Sequence, residues 1–243
     1  MNASPADQRR LLEVADLDAR IGRADAARKN PAQAARVNEL LAKRQELSQE
    51  LTARLGVRDD LRIELKRIES DVAVVDARRS RDADRLAAST NPKEAQGLES
   101  ELASLARRKS DLEDAELEIM DRLEQADAAV AEQEALIAET NAEGGRLSAE
   151  GKQAVADATA TFEQATRDRA AVAGAVPADL LALYDRISQR TTGAALLRAR
   201  TCEACRMVLA GTDLQSLRQA PDDLVVTCPE CGAILVRTEE SGL

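Results

Sequence analysis

The chain has 243 residues, 44% of them hydrophobic, yet Phe162 and Tyr184 are its only aromatic residues. That excludes a thick globular core of large side chains and favours long helices packed along narrow seams. A net charge of −10 argues against a surface coated for duplex DNA, and no stretch has the apolar length of a membrane span.

The N-terminus, MNASPADQRRLLEV, lacks the basic-then-apolar pattern of a signal peptide, so a cytoplasmic protein is expected. Residues 6–28 then read as a helix with Leu12, Leu17 and Ile21 facing inward. Its expected partner is the segment Ala154 to Val172, which includes Phe162.

Prolines punctuate the rest of the chain, because proline lacks an N–H and clashes with the preceding helical turn. Between Pro31 and Pro92, heptad positions run Leu47, Leu51, Arg54, Arg58, Leu61, Leu65, Ile68, Val72, Val75, Arg79, Asp82 and Leu86. Between Pro92 and Pro177 they run Leu98, Leu102, Leu105, Lys109, Leu112, Glu116, Ile119, Leu123, Ala126, Val130, Gln133 and Ile137. Alternating steps of four and three keep one seam facing a partner helix. The charged residues interrupting it read as snorkelling side chains that set register. Around Arg54 a stutter could instead turn Leu55 inward.

The segment ASTNPKEAQG joins the two runs, with Thr90 or Asn91 as helix cap, Pro92 at the first position and Glu94 in the first turn. A short loop there makes the two helices antiparallel neighbours. If Leu86 faces Leu98, paired residue numbers sum to 184, and Leu61 meets Leu123 while Leu65 meets Ile119. The arms should run roughly 80 Å at 1.5 Å per residue. Gly144, Gly145 and Gly151 predict a bend or fray, with a helix that runs through as the alternative, since glycine costs about 1 kcal/mol in a helix relative to alanine. Val74 and Leu117 are apolar positions the seam does not use, and they permit dimerisation without requiring it.

Pro177 opens a short helix, ADLLALYDRISQR, after which the pattern becomes strand-like. The expected architecture is therefore mainly α: a long antiparallel coiled-coil hairpin with its base helix over 1–175, then a small C-terminal β ribbon with its preceding helix over 176–243. Strand candidates are LLRAR, LVVT and AILVR, with TDLQSLRQ a helix capped by Thr212.

Cys202, Cys205, Cys228 and Cys231 form two CxxC pairs separated by 22 residues. Zinc takes four thiolates tetrahedrally, and each CxxC supplies two of them from one tight turn. Gly232 suits a left-handed conformation that aims backbone N–H groups at sulfur. A redox dithiol needs only one CxxC; an iron–sulfur cluster or rubredoxin-like iron also uses four cysteines; a disulfide suits the cytosol poorly. One structural Zn2+ is the expectation, closed to Lewis-acid chemistry by its four protein ligands.

No catalytic constellation is legible. The chain contains no histidine, the usual general base near neutral pH, and no P-loop, GxSxG or dinucleotide turn is present. The acidic run LEDAELEIMDRLE, residues 112–124, reads as a solvated helix face. No enzyme activity and no small-molecule substrate are expected.

The motifs NPKEAQGLESEL, LEDAELEIM, VPADLLALYDRI and CEAC…CPECGAILV resemble the bacterial coiled-coil proteins with a C-terminal C4-type zinc ribbon, once catalogued as a domain of unknown function. The closing CPECGAILVRTEESGL is similar to the actinobacterial branch. Members include an epsilon-proteobacterial flagellar regulator and a chlamydial relative. The resemblance implies a helical hairpin, a zinc ribbon, and adaptor or nucleic-acid-linked roles, with no established catalysis. Many relatives carry histidine where this chain has Arg206, so contacts made there do not carry over, and neither does flagellar function.

Two functions compete. One is a scaffold that holds an unidentified protein partner, in transcription or RNA metabolism. The other is direct binding of RNA or DNA through Arg190, Arg198, Arg200, Arg206 and Arg237 on the ribbon. Those arginines also suit a structural role, offsetting the negative charge of zinc with four thiolates and pairing with neighbouring Asp and Glu. The scarcity of aromatics removes the usual platform for stacking bases.

Overall fold

A computed structural model describes all residues, Met1–Leu243. Helix α1 spans Pro5–Lys29, α2 Ala34–Ala88, α3 Pro92–Ala173 and α4 Ala178–Ser188. Strands β1 (Ala194–Arg198) and β2 (Thr201–Cys202) follow, then helix α5 (Gly211–Gln219), strands β3 (Val226–Thr227) and β4 (Ile234–Val236), and a closing 3-10 turn, Glu239–Ser241. Two compact units result: residues 35–147, and residues 1–34 together with 148–243. The contact boundaries thus fall elsewhere than at 175. Helix α1 and the end of α3 cluster with the ribbon because they share its core.

In the unit 35–147, every heptad seam position from Leu47 to Ile137 is buried or half-buried, and most residues between them are exposed. Leu40, Leu61, Leu98, Leu105, Leu112, Ile119 and Val130 form its most buried apolar positions. Arg54 donates from Nη1 to the Ala129 carbonyl at 2.9 Å, and Lys109 reaches Asp76 at 2.7 Å. Both pairs lie within one residue of the 184 register. Arg54 and Leu55 are both half-buried, so the leucine turns partly inward while the guanidinium stays by finding a carbonyl.

Polar seam residues are accommodated individually. Gln133, 2% exposed, donates to the Leu47 carbonyl at 2.9 Å. Asp82 lies between Arg78 and Arg85 at 3.8 and 3.9 Å. At the hairpin tip Asn91 is the cap: its Oδ1 accepts from Lys93 N at 3.0 Å. Helix α3 continues unbroken through Gly144, Gly145 and Gly151, so the run-through alternative holds and no fray occurs. Helix propensity is a weak preference, and packing overrides it: Gly151 is buried against Gln33.

In the other unit, Ser4 caps α1 by accepting from Asp7 N, with Pro5 at the first helical position. The expected partnership with the end of α3 is present. Arg28 stacks 4.0 Å over the Phe162 ring, and Arg169 holds Asp18 at 2.7 Å. Asp18 also accepts from the Tyr184 hydroxyl at 2.9 Å, and Arg169 reaches Asp185 at 2.8 Å. This network ties α1, α3 and α4 together.

The four strands form one sheet in the order β2-β1-β4-β3, with β1 and β4 parallel and the other pairs antiparallel. Alternation along β1 and β4 sends side chains to two cores. Ala194, Ile234 and Val236 pack with Leu11, Val14, Val176, Leu180 and Tyr184 of the helical base. Ala195, Leu197 and Leu235 pack with Leu209, Leu214, Leu217, Cys202 and Cys228 on the opposite face. The ribbon is therefore seated on α1 and α4 through its own sheet. The N-terminus adds to this seat: Val225 N donates to the Met1 carbonyl at 3.0 Å and Ala3 N to that of Asp223 at 2.8 Å.

One local expectation is corrected. Thr212 does not cap α5; the helix begins at Gly211 with Ala210 as its extended N-cap and no side-chain cap bond. Leu209 is buried just before it, so the chain must arrive extended and turn immediately.

Candidate metal centre

Each cysteine pair is presented by a tight turn, and the two turns share one geometry. Arg206 N donates to the Cys202 carbonyl at 2.7 Å, and Gly232 N to the Cys228 carbonyl at 2.9 Å. The donor residue is left-handed in both, with φ of 59° at Arg206 and 76° at Gly232. This conformation turns the next amide, that of Met207 or Ala233, toward sulfur, and amides earlier in the first turn also face it. Backbone N–H groups of Ala204 and Cys205 face the Cys202 thiol, that of Met207 faces Cys205, and that of Ala233 faces Cys231.

The four Sγ atoms all lie within 4.8 Å of one another. Cys202 and Cys231 are 3.9 Å apart and Cys205 and Cys228 3.8 Å apart. A tetrahedral ion with metal–sulfur bonds of about 2.3 Å requires sulfur–sulfur edges of about 3.8 Å. The donor set fits one zinc on both type and spacing. Burial pushes the Cys202 thiol up to about 12 and raises Cys231, whereas the Met207 amide lowers Cys205. A divalent cation among them supplies the charge that lets buried thiols ionise. With four protein thiolates the coordination shell is closed, so its work is to hold the two turns together.

The arginines named from sequence are dispersed in role. Arg237 is a structural clamp. Its Nη1 donates to the carbonyls of Leu217 and Ala220, and its Nη2 to those of Pro221 and Leu224. All four terminal N–H bonds are thereby used in fixing the loop after α5. Arg198 pairs with Glu240 at 2.7 Å and lies 3.6 Å from Glu203. Arg200 donates to the Gly242 carbonyl at 3.2 Å. Arg206 is exposed, and Arg190 lines a half-open groove of about 410 Å³ with Arg186, Thr191, Cys231 and Gly232.

The sequence reading missed the support behind the first turn. Ala199 and Arg200, both left-handed, form the tight link between β1 and β2. Their amides donate to the carbonyls of Glu240 and Ser241 at 2.8 and 2.9 Å. Ser241 is 1% exposed and donates to the Leu197 carbonyl. The signal was present as a reciprocal capping pair, Thr238 with Ser241, in the closing segment.

Comparison with known proteins agrees with this architecture. The CT398-like coiled coil hairpin domain matches residues 14–192, and the C4-type zinc ribbon domain matches residues 201–235. Two Mycobacterium tuberculosis proteins, the uncharacterized proteins MT2288 and Rv2229c, are each 33% identical, with 98% of both chains covered. A solved structure from Mycobacterium smegmatis is 32% identical with a TM-score of 0.78, covering 98% of this chain and all of that one. CT398 from Chlamydia trachomatis shares the fold at 15% identity, with a TM-score of 0.58 over 95% of this chain and 97% of its own. The chain belongs to the family of CT398-like coiled-coil hairpin proteins that carry a C4-type zinc ribbon.

Proposed function

We propose that the protein is a non-catalytic adaptor whose zinc ribbon is a structural head and whose hairpin holds protein partners, in transcription or RNA metabolism, in the cytoplasm. One observation carries this reading. The one group of side chains placed to hold a metal ion is the four-cysteine set, and four thiolates close it to substrate. The ionic network of Asp18 with Arg169, Tyr184 and Asp185 joins three helices to one another. The hairpin, by contrast, uses one narrow seam and leaves its flanks exposed.

Direct nucleic-acid binding is the second reading. It is supported by Arg190 and Arg206, which have no carboxylate within ion-pair distance, and weakened by the engagement of Arg198 and Arg237. A titration of the zinc-loaded protein with RNA and DNA at low salt separates the two. The adaptor reading expects no salt-dependent complex, while cross-linking of the whole chain in cells captures defined proteins. A tight complex abolished by Arg190→Ala with Arg206→Ala would overturn it in favour of the second reading.

A further inference from the structure

We infer that the flank of α3 around Leu117 and Met120 is a docking surface for a basic amphipathic helix of a partner protein. The inference deepens the adaptor reading and rests on it.

Leu117 is 65% and Met120 49% exposed. With Glu113 and Glu124 they recur at steps of four, three and four, so the four residues form one continuous stripe along the helix. Each stands one residue after a seam position. The side of the hairpin they occupy is set by two cross-arm ion pairs. Arg62 and Asp127, each one residue after a seam position, meet at 3.1 Å. Arg78 and Glu101, each one residue before a seam position, meet at 2.5 Å. The two flanks are thus opposite sides, and Leu117 and Met120 share theirs with Asp127.

Charge states what would cover the stripe. Residues 110–145 contain twelve carboxylates and a single basic residue, Arg122. Four of the carboxylates meet a cation: Glu113, Asp127, Glu132 and Glu143. That leaves eight, including Asp114, Asp121 and Glu124, with no ion pair. The facing flank of α2 carries Asp59, Arg62, Lys66 and Glu69, which cancel, so α3 sets the sign. Unpaired like charges on successive turns cost stability in the free protein, and a cationic partner removes that cost on docking. A helix fits a stripe with this spacing, with its apolar residues on Leu117 and Met120 and its Lys or Arg residues on the bordering carboxylates. Methionine adapts its shape to the partner's side chains.

The test uses the full-length, zinc-loaded protein and two synthetic helices. Both carry leucines at heptad a and d positions; one has lysine elsewhere, the other glutamate. The lysine helix is expected to bind with micromolar affinity that weakens with salt, and the glutamate helix not at all. Leu117→Ser with Met120→Ser leaves the charge unchanged and should weaken binding about tenfold or more, as loss of interface anchors does. The exchange Leu117→Met with Met120→Leu should keep it. Val74→Ser with Leu136→Ser, on the opposite flank, should change nothing. Unaltered helical circular dichroism confirms that each variant is folded. The inference is overturned if the double serine variant binds as tightly as the wild type, which leaves charge alone. It is also overturned if light scattering shows the wild type to be a dimer that those serines dissociate, since a second copy then covers the stripe. A wild type indifferent to the lysine helix removes this surface but not the adaptor reading, which stands or falls on the proteins captured by the whole chain.

Discussion

Arg206 and Gly232 occupy equivalent positions in the two cysteine turns, each left-handed and each donating its amide to the carbonyl of the first cysteine. Only one of them is glycine. The left-handed region crowds the Cβ of an L-residue, at about 1–2 kcal/mol, so the first turn carries strain that the second does not.

Arg206→Gly should therefore raise the stability of the zinc-loaded protein by about 0.5–1 kcal/mol, the gain being trimmed by glycine's larger unfolded-state entropy. Gly232→Ala should lower it by about 1–2 kcal/mol. Denaturant unfolding of both variants beside the wild type measures this. Equal losses from both would show that the Arg206 side chain contributes more than its backbone costs.

Tyr184 predicts a pH effect. Its ring is fully buried, and burial, reinforced by the bond to Asp18, raises its phenol above the ordinary value of 10.0. The folded state keeps the proton where the unfolded chain has lost it, so this contribution is whole below pH 10 and declines as pH rises above it. Tyr184→Phe should lose about 1 kcal/mol at neutral pH, with a shallower fall above pH 10 than the wild type. Parallel slopes for the two proteins would contradict the assignment.

The same ring explains Gly193, which is left-handed at φ 76° and whose added Cβ would overlap the ring of Tyr184. Gly193→Ala should destabilise by about 2–4 kcal/mol, combining overpacking with the backbone penalty. Thermal unfolding reads the loss directly, and a variant within the wild-type range would mean that the ring can move aside.

Asp82 sits at a seam position with 8% exposure, and its two arginines are 3.8 and 3.9 Å away, beyond good hydrogen bonds. Its desolvation is incompletely repaid, as is common for buried charges. Asp82→Leu restores an apolar seam residue and should stabilise the hairpin by about 1–2 kcal/mol. A destabilised variant would show that Asp82 fixes the register of the two arms.

The heptad seam, Asn91 among the candidate caps at the tip, and the cysteine spacing were legible because each is a short-range pattern with one physical solution. The seating of the sheet on α1 was not. The amphipathic pattern placed Leu12, Leu17 and Ile21 inward, yet these are half-buried while Leu11 and Val14 carry the seat, and such a pattern does not say against what a face is buried. The clamp made by Arg237 was not legible, because backbone carbonyl acceptors leave no mark in sequence. The left-handed turn at Arg206 was hidden for the converse reason: the residue there is not the glycine that would announce it. The contact boundary at 34–35 falls at the start of α2, just past Pro31, but that at 147–148 falls inside α3, where no proline or loop signals it.

The central claim is that zinc closes the ribbon and that the hairpin stands without it. Hydrogen exchange of the zinc-loaded protein, before and after a strong chelator removes one equivalent of metal, tests it most directly. The expected result is loss of amide protection across residues 195–238, with α2 and the hairpin portion of α3 unchanged. Undiminished protection of the ribbon in the metal-free protein, or simultaneous melting of the hairpin, would contradict it.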